Sequence, residues 1–105
     1  MGVRLMAVLS IHLQEGFDDD TAVIRLNGVE CARRAHLTTK RLLGYAEIVE
    51  LQKPAQPDLR LELLLPDRDL SGSAAIPASG NSFVAANVVD GQVRLTVRDQ
   101  PFSYA

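Results

Sequence analysis

The chain lacks most of the residues and segments that form disulfides, aromatic binding sites and membrane-spanning helices. Of its 105 residues, none is tryptophan and one is cysteine, Cys31. A single cysteine excludes an internal disulfide and is compatible with a reducing compartment. The absence of tryptophan disfavours carbohydrate binding, because sugar sites use large flat rings. No apolar run reaches the ~20 residues that a membrane-spanning helix needs. We therefore expect a cytoplasmic protein with no membrane segment.

An excess of positive charge is also missing. The formal net charge is -2 at pH 7, so there is no global attraction to nucleic acid or to an anionic membrane, and a nucleic-acid partner is disfavoured. The hydrophobic fraction of 47% and the charged fraction of 23% are those of an ordinary globular protein. Neither a linker nor a repeat divides the chain, and its length fits one domain over residues 1–105.

Two short turns with strong conformational preferences are present. Asn27-Gly28 and Asp90-Gly91 each separate two runs rich in β-branched and aliphatic residues. A two-residue type I′ turn needs a positive φ at both central positions, and Asn-Gly and Asp-Gly are the pairs that adopt it most readily. The sequence therefore predicts two β-hairpins.

Alternating apolar residues predict further strands. The period is two over residues 3–13 and again over residues 59–65, where Leu59, Leu61, Leu63 and Leu65 alternate with other residues before Pro66. About seven or eight short strands in a chain of this length predict an all-β fold, an antiparallel two-layer β-sandwich. A partly open β-barrel is the alternative.

Two segments are less definite. Apolar residues between positions 38 and 51 fit helical spacing nearly as well as strand spacing, and Gly44 disfavours a helix. We expect a strand over residues 45–51, with one helical turn before it as the alternative. Residues 71–80 are rich in small side chains and predict a short edge strand or a long loop.

An acidic turn follows the first predicted strand. Asp18, Asp19 and Asp20 suggest calcium, because hard cations are bound by several carboxylate oxygens. However, three adjacent residues of an extended chain alternate in direction and cannot all face one ion. The competing interpretation is a solvated turn whose charges discourage edge pairing. Calcium is the one cofactor that the sequence suggests.

A basic segment without acidic residues follows the first hairpin. Its charges could bind an anion such as phosphate, although it lacks the interleaved aromatic residues of single-strand nucleic-acid binders. The alternative is an ordinary solvated surface. The candidate anion-binding residues are Arg33, Arg34, His36, Lys40 and Arg41.

The sequence contains no recognisable catalytic motif. Neither of the two histidines, His12 and His36, lies in a nucleophile signature, and phosphate-binding glycine loops are missing. We expect His12 to be a plain surface residue on the outward face of the first strand, and Cys31 to be a small buried hydrophobe. An enzyme therefore ranks third, after an interaction module and a ligand-binding module.

Apolar side chains on outward positions favour a non-enzymatic interaction module. The first strand carries Met6 and Val8 on its otherwise polar face, and the end of the chain presents Phe102 and Tyr104. Each has a simpler explanation, since the first pair can be covered internally and the tail can fold back on its own sheet. The predicted partner is a second copy, as an isologous homodimer, or another protein.

Overall fold

A computed structural model describes residues 7–104 of the chain. Within that range the chain forms eight β-strands and a short 3-10 turn at Pro66–Arg68, in agreement with the predicted all-β fold. The strands are β1 (Val8–Leu13), β2 (Asp20–Leu26), β3 (Val29–Leu37), β4 (Glu47–Gln52), β5 (Leu59–Leu65), β6 (Leu70–Ile76), β7 (Ser82–Val89) and β8 (Gln92–Arg98). The alternation predicted over residues 3–13 is confirmed from position 8 onward, and residues 3–6 lie outside the described range.

The strands form two four-stranded sheets that pack face to face. Sheet A has the order β4-β1-β7-β8 and sheet B the order β3-β2-β5-β6. The sheets are not closed into a barrel, so the β-sandwich is confirmed rather than its alternative. Neighbouring strands are antiparallel, except that β1 runs parallel to β7. No hairpin joins that pair, because a long segment separates the two strands and leaves their relative direction free.

The core lies between the sheets and is aliphatic. β1, β2 and β5 contribute alternate side chains, as the period of two predicted, whereas β3 contributes Ala32 and Leu37 and β8 contributes half-buried residues. Full burial of one such side chain stabilises the fold by about 1.5 to 3 kcal/mol. The largest fully buried side chains are Leu9, Ile11, Leu13, Ile24, Leu61, Leu63, Leu65 and Val84.

The local predictions from turn chemistry are confirmed. Both residues of Asn27-Gly28 and of Asp90-Gly91 have positive φ, between 50° and 82°. In the uncertain segment the expected strand is present as β4, although it begins at Glu47 rather than at position 45, and a hydrogen-bonded turn rather than a helix precedes it. The backbone N–H groups of Leu43 and Gly44 donate to the Lys40 carbonyl at 3.0 and 2.8 Å, which forms one tight turn, and β4 follows it. Residues 70–76 form an edge strand of sheet B, as one of the two alternatives predicted.

The four sheet edges differ in how accessible they are. β6 and β8 lie against each other, and a Cβ added to Gly72 would come within 2.9 Å of the Val93 carbonyl oxygen. β3 has two register irregularities opposite β2, which make it a poor template for pairing. Arg34 of β3 reaches across to Glu47 at the start of β4, with Nε 2.5 Å from Oε2. Among residues 7–104, no helix is long and apolar enough to span a membrane.

Candidate functional site

The outward face of β1 is covered by residues 100–104, which we call the tail. Above the His12 ring, the Phe102 ring packs edge-on at a centroid distance of 5.1 Å and the Tyr104 ring is stacked at 5.7 Å. His12 is consequently 7% exposed, so the expectation of a plain surface residue is wrong. The physical reason is that β1 is an inner strand of sheet A, flanked by β4 and β7, and its outward side chains have neighbours on both sides.

A chain of hydrogen bonds lies beneath the tail. His12 Nε2 is 3.1 Å from the Ser10 hydroxyl oxygen, and His12 Nδ1 is 2.8 Å from the Tyr104 hydroxyl oxygen. Gln14 Nε2 donates to the same Tyr104 oxygen at 2.9 Å, and the Asn87 amide donates to Gln14 Oε1 at 3.1 Å. Because each buried polar group finds a partner, the polar residues of this face are satisfied without water.

The surroundings of His12 disfavour its charged form. Burial lowers the pKa of the imidazole below its ordinary value of 6.5, and the Glu50 carboxylate partly opposes that effect. Both ring nitrogens already have hydrogen-bonding partners, so a neutral ring fits the site with one nitrogen donating and the other accepting. The environment on this face of sheet A therefore favours the neutral form of His12.

The two aromatic residues of the tail have further contacts. The Arg98 guanidinium carbon lies 4.9 Å from the centroid of the Phe102 ring, within the range of a cation–π interaction. The Tyr45 ring packs against Tyr104 at 4.9 Å. A Cβ on Gly44 would lie 3.5 Å from the Tyr104 ring, which places the turn before β4 next to the tail.

Among the described residues, four of the six exposed large apolar side chains lie on β4, in the turn before it or on the tail, while Val29 and Val89 lie elsewhere. The exposed fraction is 100% for Leu42, 45% for Leu43 and 36% for Ile48. Ile48 lies opposite His12 in the ladder, beside the tail, while Tyr104 remains 38% exposed. We call Leu42, Leu43, Tyr45, Ile48 and Tyr104 the apolar edge. These residues come from the segment before β4, from the outward face of β4 and from the tail.

The predicted interface residues are only partly brought together. Phe102 and Tyr104 lie side by side on His12, but Phe102 is half-buried against its own sheet. Val8 is half-buried at the start of β1, where its backbone N–H donates to Asn81 Oδ1 at 2.9 Å. Met6 lies outside the described residues. Sequence reasoning missed Ile48 and Leu42, because their exposure depends on the position of β4 at a sheet edge.

The predicted anion-binding residues do not share one face. In the ladder Arg33 lies opposite Val23, while Arg34 lies opposite Ala22, and successive strand residues point to opposite sides. Three of the five basic side chains have acidic partners: Arg33 with Glu30 at 2.9 Å, Arg34 with Glu47 at 2.5 Å and His36 with Asp19 at 2.8 Å. Lys40 and Arg41 are exposed in the turn before β4 and do not belong to β3. The anion hypothesis gains no convergent cluster from this arrangement.

The three aspartates have separate environments. Asp20 is 2% exposed and forms an ion pair with Arg68, whose Nη2 is 2.5 Å from Asp20 Oδ2. Asp19 contacts His36, and the backbone N–H of Asp18 donates to Asp20 Oδ2 at 2.8 Å. Over residues 7–104, no three His, Cys, Asp or Glu side chains lie close enough to hold a metal ion. Asp20 thus orders the turn through Arg68, which the interpretation as a fully solvated turn did not include.

Cys31 differs from expectation, and a second reactive side chain, Lys53, is buried. Cys31 is exposed rather than buried, because it lies in β3 at a register irregularity opposite Ile24 and Arg25. Lys53 is 6% exposed, and its ammonium group donates to the Pro77 carbonyl at 2.6 Å and to the Ser82 hydroxyl at 2.8 Å. Burial lowers the pKa of Lys53. A lysine directly after the end of a strand gave no signal of burial in the sequence.

The candidate residues are held in two ways: aromatic rings pack on His12, and most of the charged side chains among them form ion pairs. The chemistry of the outward face of sheet A is hydrogen bonding among Ser10, His12, Gln14 and Tyr104, under a tail and beside exposed apolar residues. Such a surface can bind another surface through apolar burial, with polar groups fixing the geometry. Comparison of the chain with protein-family models, with curated proteins and with solved structures gave no match.

Proposed function

We propose that this protein is a non-enzymatic interaction module that associates with a second copy of itself through β4 and the apolar edge. The observation that carries the proposal is the gathering of Leu42, Leu43, Ile48 and Tyr104 at one exposed margin of sheet A. Singly exposed apolar residues are ordinary on protein surfaces, whereas several of them beside one edge strand favour an interface.

The backbone of β4 supports the same partner. β4 pairs with β1 on one side and, among the described residues, has no strand paired with it in a backbone ladder on the other, although the Arg34 side chain of β3 contacts Glu47 at its start. The other three sheet edges are obstructed, β3 by its irregular register and β6 and β8 by each other. A free strand can pair with the same strand of a second copy across a two-fold axis, which joins two sheets into one.

The charges around β4 fit an isologous contact. Lys40 and Arg41 are exposed in the turn before β4, while Glu50 is exposed within it. Both signs of charge therefore border the apolar edge. A surface that pairs with itself needs complementary groups on each copy, since like charges opposite each other are repelled.

The test is the oligomeric state of the wild type and of two matched variants. Ile48→Lys places a charge on the apolar edge, and Val89→Lys places the same charge at the distant end of β7, where the side chain is equally exposed, 37% against 36%. Losing one buried isoleucine costs about 1.5 to 3 kcal/mol. Because each substitution occurs twice in a two-fold dimer, Ile48→Lys should weaken dimerisation by roughly 100-fold or more.

Sedimentation equilibrium at tens of micromolar measures this difference. We expect a dimer for the wild type and for Val89→Lys, and a monomer for Ile48→Lys. A monomeric wild type would remove self-association, and a different protein would then have to be the partner. Equal dimerisation of all three proteins would place the interface elsewhere. A cytoplasmic location belongs to the same proposal and is supported by the exposed, unpaired Cys31 thiol.

A further inference from the structure

We propose that His12 fastens the tail to sheet A as an acid-sensitive strap, which is held while the ring is neutral and released when the ring takes up a second proton. The proposal concerns residues 100–104 and the face of β1 beneath them, and it does not require self-association.

Side chains hold the tail in place. Among residues 7–104, no backbone–backbone hydrogen bond joins residues 100–104 to the body of the protein. The attachments are the Phe102 ring on His12 and Arg98, and the Tyr104 ring on His12 and Tyr45. Pro101 has no N–H group to donate. A segment held in this way can leave without disturbing a sheet ladder, because none of its backbone bonds needs to be broken.

His12 is the residue on which these attachments converge. Its ring contacts both aromatic rings of the tail, and Nδ1 is within hydrogen-bond distance of the Tyr104 hydroxyl. While the ring is neutral, it can accept one hydrogen bond and donate the other. Tyr104 already accepts a hydrogen bond from Gln14, so its own proton is available for Nδ1.

A second proton changes this arrangement. Both ring nitrogens of a charged histidine are donors, so the hydroxyl oxygens of Ser10 and Tyr104 must both accept. Ser10 already accepts from Nε2 while the ring is neutral, so the change falls on Tyr104. Its oxygen must then accept from both Nδ1 and Gln14, and its own proton loses the acceptor that Nδ1 provided. The positive charge also lies beneath two rings that exclude water from it. Moving the tail aside returns water to the imidazolium, which favours release.

The charged groups around the ring influence whether His12 is neutral or protonated. Glu50, on the neighbouring strand β4, favours the protonated ring, whereas burial opposes it more strongly. Arg98, on β8, lies against Phe102 and adds positive charge on the same face. The neighbours on β7 and in the tail that face His12, Ala85 and Phe102, carry no charge, and the Tyr104 ring that stacks on His12 packs in turn against Tyr45.

Linkage gives the direction of the effect. A docked tail lowers the proton affinity of His12, so protonation must lower the affinity of the tail for its site by the same factor. Every tenfold difference in proton affinity between the docked and released states is a tenfold difference in the docking constant. The strap is therefore fully held above the ordinary histidine pKa of 6.5 and loosens as the pH falls below it.

Nuclear magnetic resonance of the whole protein tests the proposal. We would follow the amide signals and the fast backbone motion of Ser103 and Tyr104, together with the His12 ring signals, from about pH 8 to about pH 5. We expect a rigid tail at the upper end, a mobile tail at the lower end, and one midpoint shared with the His12 ring. Amides of β5 should remain protected throughout and report an intact fold.

Two variants separate the strap from general acid effects. His36→Gln removes the other histidine, which is exposed and paired with Asp19, and should leave the transition unchanged. His12→Gln should abolish it. Tyr104→Phe keeps the ring but not the hydroxyl group, and should move the pKa of His12 towards 6.5 even if His12→Gln fails to fold. A tail equally rigid at both ends of the range, or an unchanged His12 pKa in Tyr104→Phe, would overturn the proposal.

Discussion

Gly16 is the position at which a single added methyl group should be most damaging. It lies in the loop between β1 and β2 with a φ of +88°, and a Cβ built on it would be 2.1 Å from the Val88 carbonyl oxygen and 2.9 Å from Val88 Cβ. The same loop is tied down on both sides. The Val88 N–H donates to the Glu15 carbonyl at 2.9 Å, and Arg68 donates to the Gly16 carbonyl at 2.9 Å.

The expected cost of Gly16→Ala has two parts. A left-handed backbone costs a residue with a Cβ about 1 to 2 kcal/mol. Overpacking costs about 1 to 3 kcal/mol more, because the obstructing atom is backbone that cannot rotate away. The sum of about 2 to 5 kcal/mol is a large share of the stability of about 5 to 10 kcal/mol that we expect for a domain of this size.

Matched glycine variants isolate the second part. Gly28 and Gly91 have similar φ values, 82° and 71°, but a Cβ on either would meet no atom within 4 Å. Gly28→Ala and Gly91→Ala should therefore lose only the backbone contribution, about 1 to 2 kcal/mol. Urea unfolding followed by circular dichroism measures all three free energies. If Gly16→Ala lost no more stability than the two controls, the close approach of the loop to β7 would be refuted.

Two further predictions concern buried charges. Arg68→Ala leaves the carboxylate of Asp20 buried without its partner, and we expect a loss of about 2 to 3 kcal/mol in urea unfolding, less than for a fully buried pair because Arg68 is one-third exposed. Arg33→Ala, at an exposed pair with Glu30, is the control and should lose little, so equal losses would contradict this role of Asp20. Burial lowers the pKa of Lys53 from 10.5, so the unfolded chain binds its proton more tightly. The wild type should therefore gain stability relative to Lys53→Met as the pH rises towards 10.5, and a difference independent of pH would show that the lysine is not destabilised in its charged form.

The local features of this fold could be predicted from the sequence because their causes lie within a few residues. Asn27-Gly28 forms its hairpin through the φ angles of those two residues alone. The alternation of apolar residues from Leu59 to Leu65 predicts which side of β5 faces the core, and this prediction does not depend on which strands lie beside β5. Such signals predict strands and turns, and the number of strands then favours two layers.

Strand order and the acidic turn could not be predicted in the same way. The parallel pairing of β1 with β7 depends on packing between segments that are far apart in the chain. The partner of Asp20 is Arg68, 48 positions away, and the sequence offers several other arginines of the same chemistry. Local patterns do not distinguish among such partners, because the energy of an ion pair depends on burial that only the assembled fold determines.

For the outward face of β1, the sequence pattern predicted part of the structure but not the contact that defines it. Apolar residues on that face indicated a cover, and the period of two in Phe102 and Tyr104 indicated a segment that could pack on a sheet. The link between them is a hydrogen bond across 92 positions, from His12 to Tyr104. A histidine on a central strand is a better candidate for burial than one on an edge strand, since both flanks are already occupied. The missing information was therefore the strand order. Had β1 been known to be a central strand, the apolar residues on its outward face and the aromatic residues of the tail would together have predicted that the tail covers that face.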